Sequence, residues 1–143
     1  MRIRNEIIIA GLRERVCELY CSQALLPHWS PGFISLTHVG GVCGTEGAVY
    51  RQVYRFENRQ MDELITLQEL TLPERLRVVA DLGGGNRRDS VCCFEAVDEG
   101  RTRMIVVNKF SGPILPHLVA EELEAYTQNF LELFRVFVGS QPS

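Results

Sequence analysis

Residues 114–138, ILPHLVAEELEAYTQNFLELFRVFV, decide the fold. Leu115, Val119, Leu123, Tyr126, Phe130, Leu133, Phe134 and Phe137 recur at steps of three and four, the spacing that lines side chains along one face of an α-helix. Glu121, Glu122 and Glu124 stand beside that stripe, toward the positive end of the helix dipole, and Pro113 and Pro116 are tolerated at a helix start. The spacing predicts one long amphipathic helix over about residues 114–138. At about 1.5 Å per residue it would reach roughly 35 Å, enough to cross a whole sheet.

A helix with so wide an apolar face needs something to lie on, and the residues before it supply a sheet. Strand-like runs fall at about residues 33–40, 47–57, 61–71, 75–82, 90–98 and 102–110. Turn residues separate them at Gly40-Gly41, Asn58-Arg59, Leu72-Pro73-Glu74, Gly83-Gly84-Gly85-Asn86 and Asp98-Glu99-Gly100. Connections this short predict an antiparallel meander. Residues 2–9 are rich in β-branched side chains and read as one more strand, with Ile3, Asn5, Ile7 and Ile9 on one face. After it, Leu12, Val16, Leu19 and Tyr20 follow a short helical period, and the segment from Leu25 to Gly32 has room for one more helical turn between Pro27 and Pro31. The expected fold is α+β: a seven-stranded curved antiparallel sheet wrapped around a long C-terminal helix, with two short helices after strand 1, in a single domain spanning residues 1–143. A twisted sheet with one apolar face must cover it, and the terminal helix is the only large apolar cover available.

Composition agrees with one domain. A chain of 143 residues with 45% hydrophobic side chains buries roughly 68–70% of the surface its unfolded form exposes, without help from metal or disulfides. The formal charge of -3 and the scatter of its arginines argue against nucleic acid as a partner. No run approaches a membrane span and the N-terminus lacks the apolar core of a signal peptide, so a cytoplasmic location is expected. Five cysteines make an odd count without repeated spacing, which predicts reduced thiols. Cys17 and Cys21 lie one helical turn apart, with His28 and His38 near in sequence, but no second pair follows at a zinc spacing. No metal is expected.

Several short motifs run through this order: Ile7-Ile8-Ile9-Ala10 closing the first strand, Val16 and Leu19 in the helix after it, and Leu26-Pro27-x-Trp29-x-Pro31-Gly32. Further along come Gly44-x-x-Gly47-x-x-x-Arg51, Leu72-Pro73-Glu74-Arg75-Leu76 and Gly100-Arg101-Thr102-Arg103. Together they resemble the SRPBCC (START/pollen-allergen-like) superfamily, most closely its polyketide cyclase/dehydrase-like branch, over residues 2 to 138. The sequence departs from that pattern at Gly11, where proline is common, and at Cys17, where an aromatic is common. The resemblance implies a helix-grip fold whose sheet and C-terminal helix enclose a deep, mainly hydrophobic cavity for lipids, polyketides or other small apolar molecules. No cofactor is expected.

Alternation along the strands proposes the lining of that cavity: Tyr50, Gln52, Tyr54 and Phe56; Leu76, Val78 and Ala80; Cys92, Phe94 and Ala96; Met104, Val106, Asn108 and Phe110. Arg51, Arg55, Arg77, Glu95, Arg103 and Lys109 fall on the opposite faces. The residues carried forward as ligand-binding are Asn5, Trp29, Tyr50, Gln52, Tyr54, Phe94, Met104, Asn108, Val119, Glu122 and Tyr126. The polar ones carry most information, because a polar group under an apolar cover needs a partner or a ligand. Trp29 reads as a core plug or as a cap on the entrance. Binding of a small hydrophobic or aromatic molecule is the leading expectation. The alternatives are a cyclase/dehydratase-like enzyme working through Tyr50, Tyr54, Asn108 or Glu122, and a homodimeric interaction module.

Overall fold

In the computed structural model, which describes residues 1–142, the chain begins with strand β1 (Arg2–Ala10), helix α1 (Arg13–Cys21), a 3₁₀ turn (Gln23–Leu25) and the single-turn helix α2 (Leu26–Trp29). The meander follows as β2 (Phe33–Gly40), β3 (Val49–Phe56), β4 (Arg59–Thr71), β5 (Arg75–Gly83), β6 (Asn86–Asp98) and β7 (Arg101–Ser111). A second 3₁₀ turn (Leu115–His117) leads into helix α3 (Ala120–Ser140). The strands form one antiparallel sheet in the order β1-β7-β6-β5-β4-β3-β2, so consecutive strands are neighbours except where β1 closes onto β7. This is the expected α+β, helix-grip architecture.

The ladders fix which side chains share a face. Tyr50 pairs with Ile65, Ile65 with Ala80, Ala80 with Arg88 and Arg88 with Phe110. One row further along the strands, Val78 pairs with Ser90, Ser90 with Asn108 and Asn108 with Ile3. Gln52 lies opposite Glu63, and Asn5 opposite Val106. All of these face α3. The alternation read from sequence therefore chose the correct face for β1, β3, β5 and β7. On β6 it holds for Cys92, Phe94 and Ala96, which pairs with the buried Thr102, although Ala96 is exposed just before the β6–β7 ladder slips between Ala96 and Asp98.

Two boundaries differ from expectation. The C-terminal helix does not run unbroken from residue 114: Pro116 sits in an isolated 3₁₀ turn, Leu118 and Val119 are extended, and α3 starts at Ala120. Pro116 fits a first turn but cannot donate to a longer helix, so the chain breaks before the continuous stretch begins. Val119, expected on the buried stripe, is 49% exposed as the residue that caps α3. Strand β6 begins at Asn86, four residues before the expected 90, because Arg87, Arg88 and Asp89 carry no hydrophobic strand signal.

The inner face divides into two halves. Over β1, β7 and β6 it is sealed: Ile7, Ile9, Met104, Val106, Cys92 and Phe94 pack with Val16, Leu19, Trp29, Leu131, Phe134 and Val138. Tyr20 sits at the centre of an aromatic group, its ring 5.2 Å from that of Phe134 and 5.6 Å from that of Trp29. Gly32 lets α2 reach the sheet, since it has φ of 67° and a Cβ there would lie 2.1 Å from the Arg55 carbonyl oxygen. Over β3, β4 and β5 the face stays partly accessible: Gln52, Tyr54, Phe56, Met61, Ile65, Leu67 and Val78 are all half-buried. The reason is the placement of α3, which packs most closely on β1 at one edge of the sheet. Asn5 secures it there, donating from Nδ2 to the Glu124 carbonyl at 2.9 Å and to Gln128 Oε1 at 3.0 Å, while Gln128 Nε2 donates to the Glu6 carbonyl.

Candidate ligand trough

The half-buried inner face of β3, β4 and β5 beside α3, called the trough below, is crossed by a band of polar side chains. Glu63 on β4 is the centre, its side chain 1% exposed. Arg88 reaches it from β6, two strands away, with Nη2 donating to Oε1 at 2.7 Å and Nη1 to Oε2 at 3.1 Å. The crossing depends on the strand between, where Ala80 faces inward and is itself buried. A larger side chain there would stand between the two ions. Gln52 Nε2 donates to Glu63 Oε1 at 2.9 Å and the Tyr54 hydroxyl to Oε2 at 3.3 Å, so four donors converge on one carboxylate.

The band continues across β6, β7 and β1. Ser90 Oγ donates a short bond to Asn108 Oδ1, and Asn108 and Asn5 are both buried. Asn5 uses its amide nitrogen on α3, which leaves Oδ1 buried with no hydrogen-bond partner among the described residues. A buried acceptor without a donor costs on the order of 1–3 kcal/mol, and a donor delivered by a bound molecule removes that cost. Tyr126 of α3 stands over the band with its ring edge-on to Phe56, 4.8 Å between centroids.

The electrostatics follow from burial and the ion pair. Burial opposes the charge on Arg88, but the Glu63 carboxylate and its hydrogen bonds outweigh that and hold the guanidinium well above its ordinary value. Burial pushes the Tyr54 phenol up to about 12, with the Glu63 charge adding and Arg88 opposing. Tyr126 is raised by burial as well, and Tyr20 strongly so. Three of the four tyrosines therefore keep their protons beyond the usual pKa of about 10. Between pH of about 10 and 12 the folded chain holds protons that the unfolded chain has lost, so these groups leave stability unchanged below that window and lower it as pH rises through it. In a spectrophotometric titration most phenolate absorbance should appear late, together with unfolding. Tyrosines ionising as one group near pH 10 in the folded protein would contradict this environment.

The sequence-chosen residues divide by position. Gln52, Tyr54, Asn108, Asn5 and Tyr126 meet in the band. Trp29, Phe94 and Met104 do not line the trough, because α1, α2 and α3 close over that half of the sheet and bury them in the core. Trp29 is thus a plug. Tyr50 is buried too, its hydroxyl accepting from the Gly44 backbone N–H at 2.7 Å and donating to Cys43 Sγ at 3.3 Å in the β2–β3 loop. Val119 and Glu122 face solvent at the start of α3, away from the band. Sequence reasoning missed Glu63, Arg88, Ser90 and Gln128. For Glu63 there was a signal: alternation along β4 puts it in phase with Met61 and Ile65, an acidic residue on an inward face.

Two depressions lie elsewhere on the molecule. One of about 540 Å³ is lined by Glu14, Cys17, Glu18, Cys21, Ser22, Leu72 and Pro73, and one of about 310 Å³ by Arg75, Arg77, Asp89, Val91, Val107 and Lys109 on the outer face. All five cysteines are free thiols, and Cys17 Sγ lies 4.0 Å from Cys21 Sγ. His28 stacks on Phe137 and His38 lies against Tyr50. Among the described residues no group of three or more His, Cys, Asp or Glu side chains is placed to hold a metal ion, and no helix is long and apolar enough to cross a membrane.

No family model matches the chain, and no curated protein matches it in sequence. Solved structures do match it in fold. The protein TTHA0849 of Thermus thermophilus superposes with a TM-score of 0.77 at 21% identity, covering 99% of this chain and 100% of that one. A START superfamily protein from Mycobacterium smegmatis gives 0.77 at 8% identity over 96% and 97% of the two chains. A norcoclaurine synthase point mutant from Thalictrum flavum, in complex with a transition-state analogue, gives 0.72 at 14% identity over 96% and 93%. At such identities the likeness is one of fold, and the fold is the helix-grip architecture of START and Bet v1-like (SRPBCC) proteins.

Proposed function

We propose that this helix-grip chain binds a small hydrophobic or aromatic molecule in the trough between β3–β5 and α3. One observation carries the reading: α3 is held at the β1 edge, so Phe56, Met61 and Ile65 on the concave face are only half-buried, as are Leu67 and Val78 at the border of the core. Apolar surface left open beside a few convergent polar groups is how small-molecule sites are built. The fold neighbours are consistent with it in general terms.

The finer alternative is a cyclase/dehydratase-like enzyme. Catalysis of that kind needs a group that exchanges a proton near neutral pH. Glu63 is committed to four donors, Arg88 stays charged and Tyr54 holds its proton up to about 12, so the cluster orients oxygen atoms and does not shuttle protons. Glu122, the acid expected from sequence, is solvent-facing. Binding is therefore the function we infer. Exposed ion pairs such as Arg51–Asp62 and Arg103–Glu95 mark the outer face, in contrast to the trough.

Native mass spectrometry of the gently purified protein tests this directly. A reproducible adduct of small-molecule mass is expected, and it should vanish in Val78→Trp, which fills the trough from β5 while the fold, checked by circular dichroism, persists. A bare mass across several growth conditions, with no resonance of the trough residues shifted by added aromatic compounds, would overturn the reading.

A further inference from the structure

Arg88 is the one cation on the floor of the trough, and its side chain is 21% exposed. A partly exposed guanidinium in an apolar site would ordinarily select a carboxylate, which it grips with two parallel hydrogen bonds. Here that grip is already taken. Both terminal nitrogens of Arg88 bond Glu63, one to each carboxylate oxygen, and Glu63 lies beneath it, away from solvent. A ligand carboxylate could claim the fork only by displacing Glu63, which would leave a buried carboxylate unpaired. What Arg88 has left to offer is its remaining N–H groups, suited to a single neutral acceptor such as a phenol or carbonyl oxygen.

One further observation bears on the ligand's chemistry. Asn5 Oδ1 is a buried acceptor without a donor, and a hydroxyl can supply one whereas a carboxylate cannot. Asn5 and Arg88 stand on β1 and β6, with β7 between them, and pair there with Val106 and Phe110, four residues apart, so the two positions are about 17 Å apart and one small ligand meets only one of them.

We propose that Glu63 is the specificity-determining residue of the trough: as an internal counter-ion it occupies the Arg88 fork and reserves the site for neutral, hydroxyl- or carbonyl-bearing aromatic ligands against their carboxylates. This rests on the binding function proposed above. The test uses a dihydroxynaphthalene, the hydroxynaphthoate of the same substitution pattern, and the methyl ester of that acid, titrated calorimetrically against the wild-type protein and Glu63→Gln at neutral pH. The wild type should bind the diol about tenfold or more tighter than the carboxylate, and the ester should follow the diol. Glu63→Gln keeps the shape and a carbonyl acceptor but removes the charge, so the carboxylate should gain about tenfold relative to the diol. Equal or tighter binding of the carboxylate by the wild type, or an unchanged ratio in the variant, would overturn the proposal while leaving the binding function standing. If the wild type binds none of the three, the binding function itself fails. If Glu63→Gln does not fold, the comparison of ester with free acid on the wild type decides.

Discussion

Replacing Arg88 by leucine is expected to destabilise the fold by about 3–5 kcal/mol, the range for removing one partner of a buried ion pair. The carboxylate of Glu63 is 1% exposed and takes two of its four hydrogen bonds from Arg88. Gln52 and Tyr54 remain as neutral donors, which soften the loss but cannot balance a charge. At this chain length each kcal/mol lowers the melting temperature by about 3 °C, so a drop of roughly 10 °C should be seen. The physical claim is that the damage lies in the orphaned charge and not in the lost contact, and the double variant Glu63→Met with Arg88→Leu separates the two. Removing both ions should cost less than removing Arg88 alone, a coupling of several kcal/mol in a double-mutant cycle. Additive costs would mean that the two side chains do not depend on each other, and the polar band would lose its centre.

Truncating Phe134 to alanine should cost about 3–5 kcal/mol in denaturant unfolding, without a change in the slope of stability on denaturant. Phe134 is fully buried on α3, with its ring 4.8 Å from Trp29 and edge-on to Tyr20 at 5.2 Å. The ring is the peg by which α3 is held against α1 and α2, and those neighbours are large and mutually braced, so the space it leaves has little chance to collapse. A cost below about 1 kcal/mol would show that the aromatic group repacks freely. The consequence for function is indirect. If α3 were no longer pinned at the β1 edge, it could settle toward β3–β5 and close the trough, so the same variant should also lose any small-molecule adduct.

These two sites differ in how far they could be read from the sequence. The stripe containing Phe130 and Phe134, the alternation of β3, β5 and β7, and the turns between strands are local patterns, and they sufficed for the sheet, its inner face and the helix that covers it. Gln52, Tyr54, Asn5, Asn108 and Tyr126 were legible as inward polar groups for the same reason. Local pattern misled where a single residue changed the backbone: Pro116 detached the first turn, so Val119 caps α3 in solvent, while Glu122 lies on the outward face of the helix itself.

What the sequence by itself determined is the period of each segment and hence which side chains face inward. Only the tertiary structure decided which inward residues are sealed and which stay accessible, because that depends on where α3 lands. Nothing local tells a helix which edge of a seven-stranded sheet it will rest on. Trp29, Phe94 and Met104 became core for that reason, while Val78 and Phe56 did not. Tertiary structure also made the site's central contact. Glu63 and Arg88 are 25 residues apart and on strands that are not neighbours, and they meet only because β5 lies between them with a small Ala80 at the crossing. A charge on an inward strand face reads as a misfit until the fold brings its counter-ion across.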